Sequence, residues 1–283
     1  MTDFLYPTKQ RLIDWKLQPK RALGQNFLLD NQIVSRMCHF LGATPHPILE
    51  VGPGPGALTW ALLSFMDNPI TIVEKDTQFL PILEDMKSRA AGRLSIIHGD
   101  FFHMALPQHP FCAVGNLPYN VSTEIIFHFL KAAQPPEKMI FMVQKEVADR
   151  MAAPHNRDGK SAGTKDYGRL SVMLQWCCDV KKVFDVPPSV FWPAPKVTSS
   201  VVMLTPKITA HHRALWPLME RGVKGAFSQR RKMLRQSLKT IVPDALAVLA
   251  LAGLDETKRA EDLSIADFEK LAHALKEYTK KEA

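Results

Sequence analysis

Ile48-Leu49-Glu50-Val51-Gly52-Pro53-Gly54-Pro55-Gly56 runs from a largely apolar segment straight into a loop of alternating glycine and proline. A short apolar run without strict alternation suits a strand covered on both faces. Glycines directly behind such a strand suit a tight turn into a helix, whose first turn then faces whatever lies at the end of the strand. Residues 57–65 supply that helix. On the C-terminal side the alternation recurs. Ile70-Thr71-Ile72-Val73, Leu94-Ser95-Ile96-Ile97, Phe111-Cys112-Ala113-Val114 and Lys138-Met139-Ile140-Phe141-Met142-Val143 read as further buried strands, with amphipathic stretches at 77–89 and 121–131 between them.

Strands alternating with helices predict an α/β fold with a doubly wound parallel sheet, that is, a Rossmann-like domain. Residues 154–166 are polar and contain two glycines, as a surface loop would. A proline-rich segment at 186–195 is followed by one more strand at 197–204. Beyond residue 206 the strand signal stops, and helical periods take over at 215–238, 245–252 and 265–278, with Ser264 placed as an N-cap. The expected organisation is a Rossmann-like domain over 1–205, with 1–24 as an N-terminal extension, and a small all-helical domain over 206–283.

Bulk composition narrows the functional classes. With 46% hydrophobic and 23% charged residues the chain can bury a sizeable core, and global disorder is excluded. The balance of 36 Lys+Arg against 28 Asp+Glu, net +8, favours a polyanionic partner, nucleic acid ahead of a membrane surface. Cys38, Cys112, Cys177 and Cys178 form no C-x-x-C pair and are expected to be reduced and mostly buried, with no metal site. The first 20 residues lack the apolar core of a signal peptide and no 18-residue apolar run occurs, so a soluble, cytoplasmic protein with no membrane contact is expected.

The glycine loop does not by itself name a ligand. Gly52, Gly54 and Ala57 also satisfy the G-x-G-x-x-A pattern of dinucleotide sites, which leaves a nicotinamide cofactor open. Three acids at consecutive strand ends shift the balance toward S-adenosylmethionine. Glu50 precedes the glycines, where a carboxylate can meet the cationic end of an amino-acid ligand, directly or through water. Glu74 lies 22 residues after Gly52, the spacing of an acid that accepts from a ribose diol. Asp100 follows the third strand, where it can accept from an adenine amino group.

Gly115-Asn116-Leu117-Pro118-Tyr119 follows the fourth strand. An adenine amino nitrogen is a poor nucleophile because its lone pair is delocalised into the ring. The Asn116 side-chain oxygen and the Leu117 carbonyl can each accept one of its N–H bonds, favouring a tetrahedral nitrogen with the lone pair free. Pro118 fixes the backbone and removes a competing donor. Tyr119 offers a ring on which an extruded base stacks, worth about 1–3 kcal/mol. Phe191, in a loop stiffened by Pro187, Pro188, Pro193 and Pro195, is the candidate for a second aromatic wall.

With these motifs the chain resembles the ribosomal RNA adenine dimethyltransferases, in particular the branch that acts on bacterial small-subunit (16S) RNA. The resemblance runs from about Lys20 to Lys239 and adds Arg21-Ala22-Leu23-Gly24-Gln25-Asn26-Phe27-Leu28, Gln144-Lys145-Glu146-Val147-Ala148, Tyr167-Gly168-Arg169-Leu170-Ser171-Val172 and Phe227-Ser228-Gln229-Arg230-Arg231-Lys232. Erythromycin-resistance methylases of large-subunit RNA share the glycine loop and the tetrad but generally lack the second and third of these blocks. The resemblance implies that Asn26, Leu28, Gly52, Glu74, Asp100 and Asn116 bind S-adenosylmethionine, leaving S-adenosylhomocysteine as product. It further implies that two adjacent adenosines near the 3′ end of 16S rRNA, in the small subunit or its precursor, become N6,N6-dimethyladenosines, with a role in subunit biogenesis; a monomer is expected. Two features depart from the pattern: Lys75 stands where an apolar residue is common, and the 154–166 loop is a few residues long. Neither is expected to touch the chemistry.

Arg221, Lys224, Arg230, Arg231, Lys232, Arg235 and Lys239 crowd one stretch against a single acid, Glu220. Such density suits a surface that tracks phosphates of structured RNA, which Lys20 and Arg21 extend. A binding factor for subunit assembly and a nicotinamide oxidoreductase are the competing classes. A zinc deaminase is disfavoured, because the H-x-E and P-C-x-x-C signatures are missing.

Overall fold

A computed structural model describes residues 7–19, 25–155 and 165–282. In chain order the elements are α1 (Lys9–Asp14), β1 (Phe27–Leu28), α2 (Asn31–Leu41), β2 (Ile48–Val51), α3 (Ala57–Phe65), β3 (Ile70–Glu74), α4 (Leu80–Arg89), β4 (Leu94–His98), β5 (Cys112–Asn116), α5 (Ser122–Lys131), β6 (Lys138–Gln144), α6 (Lys145–Ala152), α7 (Arg169–Cys177), β7 (Cys178–Val186), β8 (Phe191–Trp192), β9 (Ser199–Pro206), α8 (Ala210–Ala226), α9 (Leu234–Ser237), α10 (Ala245–Ala252) and α11 (Ile265–Glu282). The main sheet has the order β4-β3-β2-β5-β6-β9-β7. Its five strands from β4 to β6 are parallel, and β9 returns antiparallel to β6. All six strands expected from the apolar runs are present.

Side-chain alternation explains how the sheet is covered. Ile140 and Met142 of β6 join Cys112 and Val114 of β5 in one core with Val34, Met37 and Leu62 from α2 and α3. The intervening Phe141 points the other way, stacked 6.0 Å from Phe129 of α5, which also meets Phe101 at 4.9 Å and Phe111 at 6.1 Å. Both faces of the centre are therefore dry, as continuous apolar strands require. The expectation of full burial fails at β4, an edge strand, where Leu94 is buried but Ile97 is 36% exposed. At the opposite edge lies β7, which the apolar signal did not announce. Its sequence, Cys178-Asp179-Val180-Lys181-Lys182-Val183-Phe184-Asp185-Val186, carries the charges an edge strand tolerates.

The chain divides into two compact units. One comprises residues up to Ala148 together with Lys181–Pro206; the other joins Asp149–Val180 to Lys207 onward. Pro206 closes the second stretch of the first unit, and residues 149–180, which run into the first residues of β7, group with the late helices. Packing within the second unit gives the reason. Helix α7 buries Leu170, Val172, Leu174 and Trp176, the Trp176 indole donates to Glu269 at 2.7 Å, and the Tyr167 hydroxyl donates to the Leu263 carbonyl at 2.9 Å.

Within this unit the helical period expected over 215–238 is broken. Helix α8 begins earlier, at Ala210 behind an N-cap on Thr209, and ends at Ala226. A short 3-10 turn and an irregular turn then lead to α9. Residues 228–233 are all exposed, so no apolar stripe holds a helix there. Helix α10 starts and stops as expected, between Asp244 and a left-handed Gly253. At α11 Ser264 is the cap: its hydroxyl accepts from the Asp267 amide at 3.1 Å, and the Asp267 carboxylate accepts from the Ser264 amide at 3.2 Å. All four cysteines are free and buried. No helix among the described residues is long and apolar enough to cross a membrane.

Candidate active site

At the carboxyl ends of β2, β3, β4 and β5 lies a cleft of about 390 Å³, contained in the first unit. Ligands in open α/β sheets bind at this end, beyond the strands. Asn26, Leu28, Glu50, Gly52, Gly54, Glu74, Asp100, Asn116, Leu117, Pro118 and Tyr119 all line it. The site residues expected from the strand ends, the tetrad and the Asn26–Leu28 segment thus meet around one space.

The glycine loop gains its shape from left-handed backbone. Gly52 and Gly54 have φ of +67° and +54°, and a Cβ on Gly52 would meet nothing within 4 Å, so the loop leaves open volume at its surface. The Gly54 amide donates to Glu74 Oε2 at 3.0 Å, while the Asp76 amide donates to Oε1 at 2.7 Å. Two backbone donors fix this buried carboxylate, and each oxygen keeps a further lone pair for a ligand diol. Burial, only partly offset by those amides, raises the Glu74 carboxyl above its ordinary range.

Glu50 is buried deeper, 1% exposed, and its Oε2 accepts from the Thr59 hydroxyl at 2.7 Å. Desolvation pushes its carboxyl up to about 8, with the Thr59 bond opposing and the Glu74 charge adding to the rise. Asp100 behaves in the opposite way. It sits at the lip of the cleft, where the Lys75 ammonium at 2.8 Å and the Phe102 amide at 3.1 Å hold it below the usual carboxylate range. The three acids therefore differ electrostatically although the sequence presents them alike.

The tetrad leaves the sheet at the end of β5. Gly115 is required there by close approach: a Cβ would lie 2.7 Å from the Val51 carbonyl oxygen on neighbouring β2. Asn116 Nδ2 donates to the Asn26 carbonyl at 3.2 Å, and the Leu117 amide donates to the Met142 carbonyl at 3.1 Å. These two bonds tie the tetrad to the N-terminal segment and to β6. The Tyr119 hydroxyl pairs with Ser199 Oγ at 2.7 Å, and Ser199 is fully buried on β9. Burial raises the Tyr119 hydroxyl, which stays neutral.

Phe191 does not join this space. In β8 it pairs with Leu28 of β1, is 5% exposed and belongs to the main core. The prolines hold it as a packing aromatic beneath the loop. The phenylalanines that line the cleft are Phe27, Phe79, Phe101 and Phe102, the last two directly after Asp100 in the chain. Lys75, expected to stand clear of the chemistry, lines the cleft and pairs with Asp100; its position directly after Glu74 was the available signal. Ser199 and Thr59 carried no local signal, because each reaches its partner only through tertiary packing.

The basic residues lie in the second unit, apart from Lys20 and Arg21, which fall outside the described residues. Arg221 donates to the Ile241 carbonyl at 2.6 Å, Arg235 pairs with Glu256 at 2.8 Å, and Arg230 reaches Glu261 at 3.5 Å and the Tyr167 carbonyl at 3.3 Å. Lys224, Arg231, Lys232 and Lys239 are exposed, with Arg231 and Lys232 on the irregular turn after α8.

The family model described as "Ribosomal RNA adenine dimethylase" matches residues 16–277 of this chain. Curated relatives include the ribosomal RNA small subunit methyltransferase A of Rhodospirillum rubrum, 41% identical over 277 residues that cover 96% of this chain and 93% of the relative. The protein of the same name from Rhizobium johnstonii is 41% identical over 281 residues, covering 96% and 98%. Among solved structures, a dimethyladenosine transferase from Plasmodium falciparum superposes with a TM-score of 0.74 at 25% identity, covering 89% of this chain and 97% of that one. The 23S rRNA methyltransferase ErmE shares the fold, with a TM-score of 0.65 at 24% identity, covering 89% and 100%.

Proposed function

Because the chain belongs to the ribosomal RNA adenine dimethylase family, we propose that it transfers methyl groups from S-adenosylmethionine to the N6 amino groups of two adjacent adenosines near the 3′ end of 16S rRNA. The substrate is the small ribosomal subunit or its precursor, the products are N6,N6-dimethyladenosine and S-adenosylhomocysteine, and the work belongs to cytoplasmic subunit biogenesis by a monomer. One observation carries the reading: Asn116, at the mouth of the same cleft as Glu74 and Asp100, has Nδ2 committed to the Asn26 carbonyl. Its Oδ1 is thereby the acceptor end presented to a substrate.

The residues divide the labour by charge. Glu74, its carboxylate fixed by two amides, accepts from the ribose diol. Asp100 accepts from the cofactor adenine amino group. Glu50 faces the ammonium end, with Gly52 and Gly54 leaving room for the ligand and Leu28 giving it an apolar wall. Bound S-adenosylmethionine supplies an electrophilic methyl group on a sulfonium. Asn116 Oδ1 and the Leu117 carbonyl accept the two N–H bonds of the target amine, so its lone pair turns toward that methyl group. Tyr119 stacks on the extruded base, held by Ser199. No strong base is needed, since the proton leaves after transfer, and catalysis is positioning and electrostatics. A second transfer requires only that the pocket readmit the monomethylated amine. Arg221, Lys224, Arg230, Arg231, Lys232 and Arg235 track RNA phosphates from the second unit, together with Lys20 and Arg21.

The test is labelled methyl transfer from S-adenosylmethionine to small subunits lacking the modification, followed by nucleoside analysis. Dimethyladenosine is the expected product; methylcytidine, or label in large-subunit RNA, overturns the reading. Asn116→Ala is expected to abolish transfer while leaving subunit binding nearly intact. Equal loss of both would remove Asn116 from the chemistry and favour a pure assembly factor.

A further inference from the structure

Lys75 carries a cation to a lip of the cleft whose neighbouring strand ends are acids. Strand register places it there. Glu74, the last residue of β3, pairs with His98 of β4, so the residue that follows β3 lies beside Gly99 and within reach of Asp100. Lys75 Nζ is 2.8 Å from Asp100 Oδ2, and the other oxygen, Oδ1, accepts the Phe102 amide at 3.1 Å. Both side chains line the cleft, and they meet solvent unequally, Lys75 at 63% and Asp100 at 27% exposure.

We propose that Lys75 is a positioning residue for the purine end of the cofactor, clamping the Asp100 carboxylate that accepts from the adenine amino group and making this part of recognition depend on a solvent-exposed ion pair. The proposal rests on the reading of the cleft as an S-adenosylmethionine site with Asp100 at its adenine end. A carboxylate held by two donors on different oxygens does not rotate, and each oxygen keeps a lone pair for the incoming amine. Without Lys75 the Phe102 amide alone would hold it, and the second oxygen would swing with the side chain. Lys75 is the cation in direct contact with Asp100. Exposed pairs are weak and screened by salt, so the effect is severalfold and fades at high ionic strength.

Calorimetric titration tests this with two probes, S-adenosylhomocysteine and S-inosylhomocysteine, whose purine carries an oxo group in place of the amine. Measurements at about 50 and about 500 mM salt span the range over which screening changes. Lys75→Met is expected to weaken S-adenosylhomocysteine binding about threefold to fivefold at low salt, to shrink the preference over the inosyl probe by a similar factor, and to lose the salt response of the wild type. Lys75→Arg should restore all three. Unchanged or tighter binding by Lys75→Met, with the preference and salt response intact, overturns the proposal. Asp100→Ala separates the two levels. If it weakens S-adenosylhomocysteine while Lys75→Met is silent, only the role of Lys75 falls; if it binds like the wild type, the adenine assignment itself falls.

Discussion

The Glu50 carboxyl is 1% exposed and sits near 8, far above the ordinary value of 4.5 that it takes in an unfolded chain. A raised acid stabilises the folded state in full below the unfolded value. That contribution is lost as pH climbs from about 4.5 toward about 8, on the order of a few kcal/mol. Melting temperature should therefore fall across this window, and Glu50→Gln should flatten the slope; an unchanged slope would place the titration elsewhere. A ligand ammonium beside Glu50, as proposed, would drive the carboxyl to ionise. Calorimetry at about pH 7 in buffers of differing ionisation enthalpy should then show a proton released by the wild type and none by Glu50→Gln. The Tyr119–Ser199 pair makes a separate prediction. Tyr119→Phe and Ser199→Ala each lose one hydrogen bond, about 0.5–1.5 kcal/mol, and each should lower kcat by roughly twofold to tenfold with little change in cofactor affinity. The double variant should be no slower than the worse single, because one bond is lost once; additive losses would show that Ser199 acts by another route.

Among elements, the turn between α8 and α9 presents two of the proposed RNA-binding cations openly. Arg221, Arg230 and Arg235 bond within their own unit, whereas Arg231 and Lys232 stand exposed on the turn. Arg231→Ala and Lys232→Ala are each expected to weaken RNA binding at low salt and to reduce the slope of log affinity against log salt by about 1, leaving the unfolding midpoint unmoved. A fall in stability with no change in that slope would argue against phosphate contact. The sequence revealed the parallel strands because burial on both faces leaves an unbroken apolar run, and it revealed the cap of α11 because Ser264 acts on a neighbour three residues away. Edges escaped it. β7 alternates too imperfectly, and the exposed run 228–233 looked helical only because cations are good helix formers. In the cleft, acids at strand ends were legible one by one, but Phe191 was misleading: a proline-stiffened aromatic fits a core as well as a wall, and only the β1–β8 pairing decides which.

At the scale of the whole chain, one boundary near 206 was visible as the point where strands stop. The assignment of 149–180 to the second unit was not, because α7 follows a strand-rich stretch and its partners lie far ahead in sequence. This has a consequence for truncation. A fragment ending at Pro206 keeps α7 but lacks α8 and α11, against which Trp176 and its neighbours are buried. It should expose that apolar face, bind a hydrophobic dye and self-associate in size-exclusion chromatography; a well-behaved monomeric fragment would contradict the division. The β1–β8 ribbon carries a consequence in time. The segment that tethers Asn116 and lines the cleft is held by Phe191 and Trp192 through the ladder and by the Val190 carbonyl, which accepts from the Leu29 amide at 3.0 Å. During synthesis the early strands emerge long before that partner does, so the nascent protein carries an unfinished pocket until β8 has left the exit tunnel, and capture of the cofactor reports that translation has passed this point.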